Sequence, residues 1–242
     1  IYEQLGEPHR AAAALGNQGA VHYWLGRWDE ALACYERAHR AYVATGDVIN
    51  AATQQGNMGE LLLNRGEVAR ARPMVVEAAR THRAVGFVDG ALFDEVQVGR
   101  LLQAEGDHPG AELVLDAVVR EAEQLGLHST ALLAAVHLAE CRLGDGRPAG
   151  GLDVLAAAEE AAGEDAALLA PMVALVRSTA LEALGDDEGA RRVRDEGVAA
   201  ARSLGLRYEL GLLLVRHDDA ELREEGRALL AELDALPGQL IG

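Results

Sequence analysis

The sequence predicts an all-α fold, a solenoid of antiparallel helix pairs. Three observations predict it. Half of the 242 residues are hydrophobic but only 4% are aromatic, and Ala and Leu dominate. That mix favours helices over a β-sandwich, whose strands draw on Val, Ile, Thr and aromatic residues. Small residues then recur at a fixed period of 40. Gly19, Gly59 and Gly99 form one column, continued by Ala139. Gly26, Gly66, Gly106 and Gly146 form a second; Ala31, Ala71, Ala111 and Gly151 a third; Gly6, Gly46, Gly86 and Gly126 a fourth. Ser178, Gly185, Ala190 and Gly205 continue the four columns one residue short. Finally, apolar residues between these columns keep helical spacing, as in Ala31, Leu32, Tyr35, Ala38 and Tyr42. A strict period of this length is the signature of a repeat array.

Taken in order, the whole chain, residues 1–242, reads as one array. Residues 1–9 are the remnant of a preceding repeat, because Tyr2, Leu5 and Gly6 align with Tyr42, Thr45 and Gly46. The sequence also begins at Ile1 rather than Met, as a piece of a longer protein would. Repeats follow over about 10–49, 50–89, 90–129, 130–168 and 169–206, then a divergent C-terminal cap over 207–242. Each repeat is two helices. The Gly26 column ends the first and the Gly46 column ends the second, since glycine takes the left-handed conformation of a helix C-terminus. Asp29, Asp47, Asp107 and Asp187 suit N-caps or first turns, and Pro109 and Pro148 suit first turns. The column Gly19, Gly59, Gly99, Ala139 and Ser178 sits inside the first helix, where small side chains let two helices approach. Pro73 falls within a predicted helix and should kink it or delay its start. Pro171 falls inside the first helix of the fifth repeat, and no glycine stands at Ala166, so a bend or register change is expected between repeats four and five. Tyr208 to Arg216 reads as a further helix. Asp219 to Ala235 reads as another, polar enough to cap the stack, with Leu236-Pro237-Gly238 as its stop.

This organisation resembles the tetratricopeptide repeat family. The likeness is carried by Leu15-Gly16-Asn17-Gln18-Gly19, by Leu25-Gly26-Arg27-Trp28-Asp29-Glu30-Ala31-Leu32, and by Tyr35 and Ala38. Asn57-Met58-Gly59 with Gly66 and Ala71 repeats it, as does Gly99 with Gly106 and Ala111. The period of 40 is similar to the longer-helix variant of kinesin light chains and large bacterial regulators. The family's Trp in the first helix is absent, with Leu15, Gln55, Glu95 and Ala135 in its column, and Arg194 stands where the family has an aromatic or aliphatic residue. The resemblance implies a right-handed superhelix whose first helices line a concave face.

Composition excludes several classes of function. The chain has 39 acidic and 22 basic residues, net charge −17, which makes a poor nucleic-acid binder. All the basic residues are Arg, read as genome composition rather than mechanism. Cys34 and Cys141 are too few for a disulfide framework, which points to a reducing, cytoplasmic compartment. No apolar run approaches a membrane span. His137 and Cys141 share a helix face, but a zinc site needs about four ligands and no second pair has the spacing. Asp186-Asp187 and Asp218-Asp219 read as capped turns, and Glu159-Glu160 as a solvated face. With no phosphate loop, GxSxG or HExxH motif, neither an enzyme, a cofactor nor a metal is expected.

Binding has more support. A first-helix column reads Asn17, Asn57, Gln97 and His137, four side chains that both donate and accept hydrogen bonds. Such a ladder suits an extended peptide backbone, and the resemblance implies that use; the same side chains could instead bond between neighbouring helices. The adjacent columns read Ala20, Glu60, Arg100, Glu140 and Trp24, Asn64, Ala104. Trp24 is a candidate anchor, or packs against a neighbouring repeat, whereas Trp28 stands at a structural turn position. Arg100 alone supplies no carboxylate clamp, so basic or neutral segments are the expected partners. The expected function is a non-catalytic protein- or peptide-binding module, the sensing or docking arm of a larger bacterial signalling or transcription regulator. The resemblance points to STAND-type and adenylyl cyclase regulators as such parents. The alternative is a structural spacer or oligomerisation arm with an unused groove. Self-association through the N-terminal repeat face is a further expectation.

Overall fold

The computed structural model describes residues 7–235, apart from the side chains of Glu164 and Asp165. The predicted remnant (Tyr2, Leu5, Gly6) and the stop at Leu236-Pro237-Gly238 lie outside the described residues. Helices make up almost all of the rest, and the chain divides into two compact units after Leu101.

The first unit holds α1 (Pro8–Trp24), α2 (Trp28–Thr45), α3 (Val48–Asn64), α4 (Val68–Val85) and most of α5 (Val88–Ala104). Each of α1 to α3 packs against its successor. The cause lies in the small-residue columns. A methyl group added at Gly19 would stand 2.6 Å from the Tyr35 ring, and one added at Gly59 would stand 2.4 Å from Val75 Cγ2. The helix pair therefore closes only around glycine at these positions. Buried Ala31, Ala38, Ala71 and Ala78 continue that close approach along α2 and α4. Trp28 fulfils its structural role: it is 3% exposed and stacks on Tyr23, 6.1 Å between centroids, with the Arg65 guanidinium 5.9 Å from its ring.

The second unit holds α6 (His108–Gln124), α7 (His128–Gly144), α8 (Pro148–Ala162), a 3-10 helix (Gly163–Leu168), α9 (Ala170–Ala183), α10 (Asp187–Leu204), α11 (Arg207–Leu214) and α12 (Ala220–Glu232). Consecutive α-helices pack in sequence here too. Gly26 shows how both units turn: its φ is +71°, and the following N–H of Arg27 bonds the His22 carbonyl at 2.8 Å. Asp47, Asp107, Asp186 and Asp219 cap α3, α6, α10 and α12 through their side chains.

Two expectations about proline are corrected. Pro73 does not delay α4, which begins at Val68 and runs through it. Proline removes one backbone hydrogen bond there, and the buried face of Ala71, Val75, Ala78 and Ala79 holds the helix regardless. Pro171 is not internal, because α9 starts at Ala170 and the proline lies in its first turn, where no N–H is needed. The register change expected before it takes the form of the 3-10 segment, entered at Gly163, whose φ is +52°. Arg194, foreign to its column, is 1% exposed and ion-paired with Glu182 of α9, which is how a guanidinium occupies a core position.

Candidate functional site

The predicted binding columns fall on α1, α3 and α5 of the first unit, with His137 and Glu140 on α7 of the second. In the first unit their polar groups join into one network. Tyr23 at the end of α1 donates its hydroxyl to Glu60 Oε1 at 3.2 Å. The same hydroxyl accepts from Asn64 Nδ2 at 2.9 Å. Asn64 Oδ1 accepts from Arg100 Nη2 at 2.6 Å, and Arg100 Nη1 donates to Gln97 Oε1 at 2.8 Å. Five side chains thus bridge three first helices. The one-turn spacing of Glu60 and Asn64, and of Gln97 and Arg100, puts each pair on one helix face.

The network sorts the candidates. Asn64 is 3% exposed and Gln97 1%, and both amides spend hydrogen-bonding groups on protein neighbours. Asn17 is exposed and Asn57 half-buried, and neither amide has a hydrogen-bond partner among the described residues. Trp24 is 48% exposed, its ring edge-on to Tyr23 at 5.6 Å. Burial pushes the Glu60 carboxyl above its ordinary range, opposed by the Arg100 charge and the Tyr23 hydrogen bond. In the second unit His137 is 4% exposed, and its Nδ1 lies 2.7 Å from Glu140 Oε2. The Cys141 thiol, one helical turn on, is buried and pushed up to about 12, which keeps it protonated and unreactive. Among the described residues no three His, Cys, Asp or Glu side chains are placed to hold a metal ion. No described helix is long and apolar enough to cross a membrane.

One constellation escaped sequence reasoning. His82 of α4 and Asp94 of α5, both buried, meet with Nδ1 2.7 Å from Oδ2. The signal was present in the columns. The His82 column otherwise reads Tyr42, Ala122, Ala162 and Ala201, and the Asp94 column reads Ala14, Gln54, Ala134 and Val173. Only where the repeat over 50–89 meets the repeat over 90–129 do both columns become ionisable together.

Comparison with known proteins agrees with this architecture. Residues 10–84 match the tetratricopeptide repeat family. No curated protein matches the chain. Among solved structures it is similar to a Rap protein complexed with Competence and Sporulation Factor, at 15% identity and a TM-score of 0.78, covering 90% of this chain and 63% of that one. It is similar to the Rap conjugation gene regulator of the plasmid pLS20 in complex with the Phr* peptide, at 16% identity and a TM-score of 0.73, covering 88% and 61%. It is also similar to aspartyl phosphate phosphatase F from Bacillus subtilis, at 12% identity and a TM-score of 0.64, covering 91% and 59%. The chain therefore spans about three fifths of the length of these solved chains. The fold is that of a tetratricopeptide-like solenoid.

Proposed function

We propose that this chain is a non-catalytic peptide-binding module whose first unit holds an extended segment along α1 and α3. The observation that carries this reading is the division within the polar columns. Asn64, Gln97 and Arg100 are bonded to one another, whereas Asn17 and Asn57, 40 residues apart in one column, keep amides that can both donate and accept. Trp24 offers an exposed aromatic surface about two turns further along α1 from Asn17. Two of the similar solved structures are complexes with a peptide or factor, which supports the same use here. The net charge of −17 favours basic or neutral segments. In the parent protein the module serves as the sensing or docking arm of a bacterial regulator.

A peptide array of graded charge tests the reading, probed with the wild-type chain and with Asn17→Ala/Asn57→Ala. Saturable binding of basic or neutral peptides, lost in the double variant, is expected. Binding untouched by the variant would move the site elsewhere. No binding, with self-association that survives dilution, would favour a structural arm.

A further inference from the structure

We propose that the His82–Asp94 pair is a proton-operated pin: with one shared proton it fastens α3, α4 and α5 together, and without it the α3–α5 face loosens. Its control over binding rests on the peptide reading above; the pin itself does not.

The geometry fixes where protons stand. His82 Nε2 lies 3.1 Å from the Ile49 carbonyl oxygen, at the start of α3. A carbonyl oxygen only accepts, so Nε2 carries a hydrogen. The Thr53 hydroxyl, 3.4 Å from Nε2, gives its own hydrogen to the same carbonyl. The other ring nitrogen, Nδ1, faces Asp94 Oδ2 at 2.7 Å. That contact holds one proton, whichever of the two atoms carries it. Both side chains are 2% exposed, so water cannot replace the bond. The pin reaches α3 a second time through the other carboxylate oxygen: a methyl group added at Gly56 would stand 2.2 Å from Asp94 Oδ1. Phe87 closes the site, its ring edge-on to His82 at 5.1 Å.

The surrounding charges set the direction of the switch. Glu60 of α3 and Glu95 of α5 both act on Asp94 as negative neighbours. Arg83 of α4 is engaged by Glu95, with Nε 2.9 Å from Oε1. Removing the shared proton leaves a buried carboxylate facing the lone pair of Nδ1, in the field of Glu60 and Glu95. Burial is the main reason the Asp94 carboxyl is pushed up, to about 7. A carboxyl raised in the folded state stabilises the fold while protonated, and that stabilisation is lost as pH rises through about 7. Gly56 adjoins Asn57, and Asp94 lies one turn before Gln97, so the loosened contact borders the binding columns.

The test is the thermal unfolding of the whole chain followed by tryptophan fluorescence, because Trp24 and Trp28 both report on the first unit. Between about pH 6 and about pH 8 the wild-type midpoint is expected to fall by about 1–2 °C. Asp94→Asn donates an amide hydrogen to Nδ1 without a shared proton, so its midpoint is expected not to show that step. Superimposable profiles of wild type and variant would overturn the pin. If the variant does not fold, imidazole nitrogen NMR of the wild type decides. The tautomer with its hydrogen on Nε2 is expected; an Nε2 without a hydrogen would overturn the pin. The peptide array repeated at both pH values separates the two readings. Weaker wild-type binding at the higher pH supports the control, and equal binding overturns it. No binding at either pH, with the midpoint step present, removes the groove and leaves the pin standing.

Discussion

At Gly59 the helix pair leaves no room for a side chain, since an added Cβ would already meet Val75 Cγ2 at 2.4 Å. Gly59→Leu should overpack α3 against α4 and destabilise the chain by about 1–3 kcal/mol, read as a lowered midpoint in thermal unfolding. Tyr23 makes a different kind of contribution. Its hydroxyl is both donor to Glu60 and acceptor from Asn64. Tyr23→Phe keeps the ring but leaves the buried Asn64 amide short of a partner, at a cost of about 1–3 kcal/mol in chemical unfolding. A variant as stable as wild type would mean the network does not hold the three helices. Residues of the first kind were legible in the sequence, because a steric requirement excludes every larger side chain and so leaves a column. Asn64 and Gln97 were legible as polar positions on the right face. That they bond inward while Asn17 and Asn57 do not was not legible, because it depends on the neighbours Tyr23 and Arg100. His82 and Asp94 are each unremarkable alone, and only their joint departure from columns that are otherwise mostly small or apolar marks them.

The helices themselves were the most legible level, since the 40-residue period, the left-handed glycines and the aspartate caps all punctuate the same places. Proline was the exception. Pro73 shows that a buried helix face outweighs a local breaker, and Pro171 that a proline inside a predicted helix can instead mark its start. Because Pro73 is exposed and interior to α4, Pro73→Ala restores a backbone donor without disturbing the core. It should raise stability by up to about 3 kcal/mol, measured as the shift in denaturant midpoint. Asp219 accepts from the N–H groups of Glu221 and Leu222. Asp219→Ala should lower stability in the same assay.

For the whole molecule the charge is uneven. Residues 1–101 carry 12 acidic and 10 basic residues, and residues 102–242 carry 27 and 12. Most of the acidity therefore belongs to the second unit, whereas the candidate binding amides belong to the first. A basic peptide should associate with the chain more slowly as salt is raised, because long-range attraction is screened. Stopped-flow association rates at low and high salt check this, and a rate indifferent to salt would remove electrostatics from recognition. The central claim is that Asn17 and Asn57 are the side-chain amides open to a ligand while Asn64 and Gln97 are committed internally. Side-chain amide NMR of the whole chain, without and then with a peptide selected on the array, tests it directly. Rapid solvent exchange is expected at Asn17 and Asn57 in the free chain, with protection at Asn64 and Gln97, and shifts at Asn17 and Asn57 on saturation. Asn17 and Asn57 already protected in the free chain, or unmoved by saturating peptide, would contradict it.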